Sequence, residues 1–351
     1  PIAKTIVEES HKHGKQVYVH ATELETAKKS IEAGCDVLVH MVRDREVDKE
    51  FLKMAKENDI IITPTLWVFH SYASVYSKKL DLSKTEHLKG NPYVIGTFFD
   101  MYELSESELG ERQKKLQAKQ GPIETNQVLM KNLKKIHDYG ITIAAGTDAG
   151  NVGVLHGPGL FHEFEYMSNA GLSNMDILKS ATINAAKLLE KDKIFGSIEK
   201  NKNADLIILN SNPLEDIQNT SDIHLVMKSG RTYRPEEIVK PSPRDLAQIQ
   251  LNAYNEKDIE SFLSVYADDV EIYEFPSKLL YTGKEKMRKT YTEYFEKAGD
   301  LHCELVDRIV LNNKVIDREK VTTSIPGREV IHAIAVYEIA EGKIQKVWFV
   351  K

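Results

Sequence analysis

Along the first half of the chain, apolar residues occupy successive positions in short runs, separated by stretches of helical periodicity. The runs are Gln16–His20 (QVYVH), Asp36–His40 (DVLVH), Ile60–Thr65 (IIITPT) and Ile141–Thr147 (ITIAAGT). A strand with one wet face alternates apolar and polar side chains, whereas a strand covered on both faces is apolar throughout, so these runs predict parallel strands layered by helices. Thr22 and Glu25 read as a capping box that opens the first intervening helix, and Gly34 ends it. Further helices are predicted over Glu46–Asn58 and Ile123–Tyr139. Repeated strand–helix units build a barrel or a doubly wound sheet.

Between the third and fourth runs lies an insertion from Leu66 to Gly121, rich in aromatics such as Trp67, Tyr72, Phe98 and Tyr102. Its length predicts extra helices, because long structureless loops are rare in compact domains. Its place after the C-terminal end of a strand makes it a candidate lid, with ordinary helical packing as the plainer reading. Asn174–Lys179 and Asn184–Leu189 read as short helices, and Ala204–Leu209 and His224–Met227 as antiparallel strands of a small β unit. Lys240–Arg244 (KPSPR) reads as a linker. Beyond it come two helices (Asp245–Asn255 and Ile259–Tyr266) and then long alternating strands that end in Val330–Ile339 and Lys343–Val350, an α+β pattern unlike the first half.

Composition narrows the function classes. The 351 residues carry a net charge of −6, which gives no basic surface for nucleic acid or an anionic membrane. No apolar run approaches the roughly 18 residues of a bilayer span. Cys35 and Cys303 stand far apart and exclude a disulfide framework. The chain opens on Pro1 within a helical pattern, so a preceding segment is expected, and the compartment, cytoplasmic or secreted, stays open.

His20, His40 and Asp148 each stand at or just past the C-terminal end of a predicted strand. In a (β/α) barrel, catalytic side chains project from that rim. Two imidazoles and a carboxylate there suit a divalent cation, and the carboxylate also suits a base for metal-bound water. One histidine at a strand end is ordinarily structural or exposed; three such residues in successive units point more strongly to chemistry.

The segments VYVHA, AGCDVLVHM, ITPTL, AAGTDAG, SATINAAKLL, GSIEKNKNADLIILNSNPL and VMKSGRTY occur in this order. Over Pro1–Tyr233 the chain resembles the metal-dependent amidohydrolase superfamily, in its imidazolonepropionase-like branch with related dipeptidases. The resemblance implies that 1–192 is the later part of a TIM-like (β/α)8 barrel, strands five to eight, and that 193–240 returns into a small β-sandwich. It implies His20, His40 and Asp148 as metal ligands, with Asp148 shuttling the proton of the attacking water, and one or two divalent metals, zinc foremost, in the complete protein. It makes His156 and Glu163 candidates for substrate contact. The superfamily's His-x-His strand and bridging lysine have no counterpart here, since four strands cannot close an eight-stranded barrel. A C-terminal fragment with an incomplete metal site is the resulting expectation.

Residues 241–351, with SFLSVYADDVEIYEFP, YTGKEKMRKTYTEYF and the closing IQKVWFVK, resemble the SnoaL-like branch of the nuclear transport factor 2-like fold. That resemblance implies a curved sheet around a cone-shaped pocket lined by Tyr273, Tyr291, His332 and Trp348. Asp269, Glu274, His302 and His332 are its ionisable candidates. The combined expectation is a metal-dependent hydrolase of C–N bonds in a cyclic amide, a dipeptide or an N-acyl amino acid. It includes a possible homodimer through the C-terminal domain, with no nucleic-acid or membrane partner. The alternatives are a non-catalytic ligand-binding or dimerising protein, and an isomerase- or cyclase-like activity of the C-terminal domain.

Overall fold

The computed structural model describes residues 2–118 and 127–350 and divides into two compact units, 1–73 with 120–238 and 74–119 with 239–351. The predicted helix start at Ile123 lies outside the described residues. Among those described, no helix is long and apolar enough to cross a membrane.

In the first unit, β1 (Tyr18–His20), β2 (Val37–Val39), β3 (Ile61–Thr63) and β4 (Thr142–Ile143) form a parallel sheet in sequential order. Pairing runs Tyr18↔Val37, Val37↔Ile61 and Ile61↔Thr142, so the strands end nearly level. Helices α1 (Ile2–Lys12), α2 (Leu24–Glu32) and α3 (Lys49–Glu57) alternate with them. Leu38, Ile62 and Ile143 share one buried cluster with Ala27, Phe51 and Leu133, the two-sided cover that the continuous apolar runs require. Gly34 takes φ 91° just past α2, the left-handed stop that glycine tolerates best. The start of α2 differs from the expected capping box. Glu23 stands at the N-cap without a side-chain bond, and Asp44 from the loop after β2 accepts the Leu24 amide at 2.9 Å. A carboxylate brought in by the fold does the work expected of Thr22.

Helix α4 (Leu66–Tyr76) follows β3, and α5 (Lys84–Lys89), α6 (Pro92–Asp100) and α7 (Glu111–Gln117) complete the described insertion. The unit continues with α8 (Gln127–Asp138), α9 (Gly159–Asn169), α10 (Asn174–Ala181) and α11 (Ile183–Leu188). Then β5 (Leu206–Leu209), β6 (Ile223–Lys228) and β7 (Arg231–Tyr233) form a small antiparallel sheet, and α12 (Pro235–Ile238) ends it.

The second unit has α13 (Pro243–Glu256), α14 (Ile259–Ser264) and α15 (Lys284–Lys297) against a six-stranded sheet. Its strands are β8 (Tyr266–Glu274), β9 (Lys278–Thr282), β10 (His302–Leu311), β11 (Lys314–Thr322), β12 (Val330–Ala340) and β13 (Lys343–Val350), in the order β10-β11-β12-β13-β8-β9. All pairs are antiparallel except β13 with β8. The KPSPR segment runs into the start of α13, with Lys240 and Pro241 ahead of the helix. Ser242 caps it in a reciprocal box with Asp245, and Pro243 occupies the first turn, where its missing N–H costs nothing.

Most of the insertion belongs to this second unit. Asn252 on α13 donates to the Pro92 carbonyl at 2.7 Å, Tyr93 donates to Asp245 at 2.8 Å, and buried His87 meets Glu256 at 2.5 Å. A side chain at Gly96 would sit 3.1 Å from the Gln248 amide, so glycine lets α6 and α13 approach closely.

Candidate active site

The level ends of the four parallel strands bring the three rim residues together. His20 is the last residue of β1 and His40 follows β2; their rings meet edge-to-face at 4.4 Å. Asp148 lies in the loop after β4, its Oδ2 3.9 Å from His40 Nε2. His40 Nδ1 is 2.6 Å from the Thr65 hydroxyl, which leaves Nε2 as the nitrogen on the Asp148 side. The His40 side chain is 8% exposed, against 39% for Asp148. Burial, and then the neighbouring His20, lower the His40 pKa, against the pull of Asp148, and so favour the neutral imidazole.

Backbone strain marks the same spot. His40, Thr65 and Asp148 have φ of 73°, 47° and 57°. The left-handed region is costly for any side chain and most for β-branched threonine, and such residues persist where surrounding structure holds them, often at functional sites. Close packing contributes as well: a side chain at Gly146 would fall 2.5 Å from Thr63 Cγ2.

The Asp148 loop is tied back to α4. The Tyr72 hydroxyl donates to Asn151 Oδ1 at 2.6 Å and Ser71 to the Val152 carbonyl at 2.9 Å. Asn151 in turn donates to the Asp148 carbonyl from its backbone, at 3.3 Å, and from its side chain, at 3.0 Å. His156 is exposed further along this loop. Glu163, expected beside the substrate, is instead fully buried, and its two oxygens accept the Leu66 and Trp67 amides at 2.9 Å each. Burial pushes its pKa up to about 7 against those hydrogen bonds. His162, which reads as a surface residue in the sequence, stacks on Trp67 with ring centroids 4.0 Å apart.

Tyr72, which the sequence offers with His70 as a residue that could face the mouth, is joined by Thr65 and Asn151, which sequence reasoning missed and which hold the His40 ring and the Asp148 carbonyl. Pro64 restricts Thr63 before it and leaves Thr65 after it unmarked, so no local signal points to the Thr65 corner.

As donors, His20, His40 and Asp148 suit a divalent cation: two imidazoles, one of them buried and held by its second nitrogen, and one partly exposed carboxylate. Among the described residues, however, no group of three or more histidine, cysteine, aspartate or glutamate side chains is drawn close enough to hold a metal ion. The three are neighbours rather than a closed coordination shell.

In the second unit the expected pocket lining is divided between two faces. Val270, Ile272, Ala335, Tyr337 and Val347 face the core with Tyr291 of α15. Tyr273 and Trp348, one position out of phase, stack on each other at 5.5 Å on the opposite face, and His332 is exposed. Of the four expected lining residues, only Tyr291 is therefore inside. Asp269 is also exposed. On the sheet, the carboxylates of Asp317 and Glu319 are buried. Asp317 forms a bidentate pair with Arg308 at 2.7 Å per bond, and Glu319 accepts from the Tyr337 hydroxyl at 3.1 Å. Gln250 donates to Tyr337 at 2.9 Å and accepts from Tyr266 at 3.2 Å. Burial raises the Glu319 pKa to about 7.

A strand-end cluster on a parallel sheet is thus followed, along the chain, by a separate α+β module. A model of the amidohydrolase family matches residues 2–233, and a model of the SnoaL-like domain matches residues 248–347. The chain belongs to the amidohydrolase family and carries a SnoaL-like domain. Ochratoxinase from Aspergillus niger is 25% identical over 235 residues, which are 66% of this chain and 40% of that protein. The crystal structure of a Xaa-Pro dipeptidase with bound methionine is similar at 27% identity and a TM-score of 0.47, over 66% of this chain and 48% of that one. A cystatin-fold protein from Novosphingobium aromaticivorans is similar at 26% identity and a TM-score of 0.30, over 31% of this chain and 98% of that one. The chain thus spans less than half the length of ochratoxinase and of the dipeptidase.

Proposed function

We propose that the chain supplies the His20, His40 and Asp148 part of the active site of a metal-dependent hydrolase that cleaves C–N bonds of small amides. The substrate class is a cyclic amide, a dipeptide or an N-acyl amino acid. In this reading the four-stranded parallel sheet is the later half of a (β/α)8 barrel. Membership of a family that usually binds divalent metals supports it. The observation that carries it is the meeting of His20, His40 and Asp148 at the ends of β1, β2 and β4, with His40 and Asp148 in strained backbone. A bound divalent metal, zinc foremost, would lower the pKa of its water and polarise the amide carbonyl. His20 and His40 would hold it as neutral imidazoles. Asp148, partly exposed beside His40, would take the water's proton at its carboxylate and return it to the leaving nitrogen.

With this partial donor set the chain should bind zinc weakly. Competition with a chromogenic chelator tests the assignment: His40→Ala and Asp148→Asn should each remove what binding there is, and unchanged binding in both overturns the assignment. A panel of dipeptides, N-acyl amino acids and cyclic amides, tested on protein with the metal restored, then separates the substrate classes.

The SnoaL-like domain is read as a dimerising module rather than a second enzyme, since its buried carboxylates are engaged by internal partners. One cross-strand row on its outer face, Ile309, Ile316, Val336, Trp348, Tyr273 and Leu279, is apolar or aromatic on all six strands. Ile309 and Leu279 are 59% and 51% exposed. Beside it runs a charged row in which Lys314 pairs with Glu338 at 3.0 Å and Lys346 with Glu271 at 2.7 Å. An apolar stripe bordered by both signs of charge suits a second copy of the same face.

A further inference from the structure

Helix α4 touches both sides of the candidate site, and one carboxylate from α9 holds its start. The first N–H groups of a helix have no partner within it, and the residue before the helix commonly supplies one through its side chain. Here that residue is Thr65, whose hydroxyl is turned instead to His40 Nδ1, with the backbone at φ 47°. Glu163 takes over the missing task, its two oxygens accepting the Leu66 and Trp67 amides. A carboxylate at a helix N-terminus also meets the positive end of the dipole. One turn further on, the Tyr72 hydroxyl and Ser71 hold Asn151 and Val152, and through Asn151 the carbonyl of Asp148.

The geometry points to Glu163 as a positioning residue: by capping α4 from α9 it frees the Thr65 hydroxyl to orient His40 and holds Tyr72 against the loop of Asp148. One rim side chain, His40, and the backbone that carries another, Asp148, are thereby set by one helix and one buried acid. The assignment rests on the reading of His40 and Asp148 given above, but its first test does not depend on metal.

The test is the 15N resonances of the His40 ring in metal-free protein, together with amide exchange in the Asp148 loop. Wild type and Thr65→Ser, which keeps the hydroxyl, should show a single tautomer with Nδ1 hydrogen-bonded. Thr65→Val removes the hydroxyl, and Glu163→Gln turns a donor toward one of the two amides; both should shift the His40 ring resonances toward mixed tautomers. Tyr72→Phe should speed exchange at residues 149–155 and leave the ring unchanged. Zinc affinity, measured by chelator competition, should fall about 10- to 100-fold in Glu163→Gln and Thr65→Val and recover in Thr65→Ser. Ring resonances identical to wild type in both Glu163→Gln and Thr65→Val overturn the assignment. A changed ring with unchanged zinc affinity supports the brace and overturns the ligand role of His40 instead.

Discussion

The two units of this chain use ionisable residues in opposite ways. In the parallel unit, His20, His40 and Asp148 collect at the strand ends, His40 and Asp148 in strained backbone, with lone pairs left over after their internal bonds are made. In the antiparallel unit, Arg308, Asp317 and Glu319 point from strand interiors into the core, where each meets a partner. The contrast shows that burial of a charged group is a poor guide to chemistry by itself. What separates the two sets is whether the surrounding groups use up the donor capacity, and level strand ends leave some unused where antiparallel pleats do not.

The largest expected effect lies in the saturated set. Arg308→Met strands Asp317 in the core and should cost about 3–5 kcal/mol, read by urea unfolding, while Arg308→Met with Asp317→Leu recovers much of the loss. A double variant no better than the single one would break the comparison.

Next comes pH. Glu163 and Glu319, with folded pKa values of about 7 against 4.5 for the ordinary carboxyl, keep a proton that the unfolded chain has already lost between those values. Each therefore contributes stability that is full below about pH 4.5 and declines as pH rises to about 7, by about 3 kcal/mol. Replacing Glu319 by Gln should flatten that part of the curve relative to wild type; an unchanged slope would place its pKa near the ordinary value.

A smaller effect is expected on the outer face, where Trp348→Glu should shift the protein toward monomer in light scattering at micromolar concentration while the unfolding midpoint stays close to wild type. The smallest concerns the cap supplied from outside α2. Asp44→Ala should cost about 1 kcal/mol, and Thr22→Ala less, the reverse of what the local sequence implies.

The parallel strands were legible because a strand covered on both faces is apolar throughout, as Val37–Val39 is, whereas β1 at the sheet edge is exposed at Tyr18 and His20. The two faces of the antiparallel strands were not. Val330–Ile339 reads VIHAIAVYEI, apolar at both parities, so nothing local says that Ala335 and Tyr337 face the core while His332 faces out. Tyr273 and Trp348 were misplaced by the same ambiguity. The role of Glu163 was hidden for another reason: its partners Leu66 and Trp67 lie nearly a hundred residues away, and a backbone amide leaves no trace in sequence. The long-range bond between Asn252 and Pro92 likewise ties the insertion to the second unit, and no periodicity records it.

That bond also bears on how the protein reaches its native state. Residues 92 and 252 are separated by 160 positions, most of which belong to the other unit. Closing so long a loop costs entropy before any packing is gained. The α6–α13 contact is thus expected to form late in folding, in a slow phase whose rate Asn252→Ala should change; an unchanged rate would overturn the expectation. Expressing 241–351 by itself would strip Gln248 and Asn252 of the helix that covers them, so the two units are interleaved rather than interchangeable building blocks.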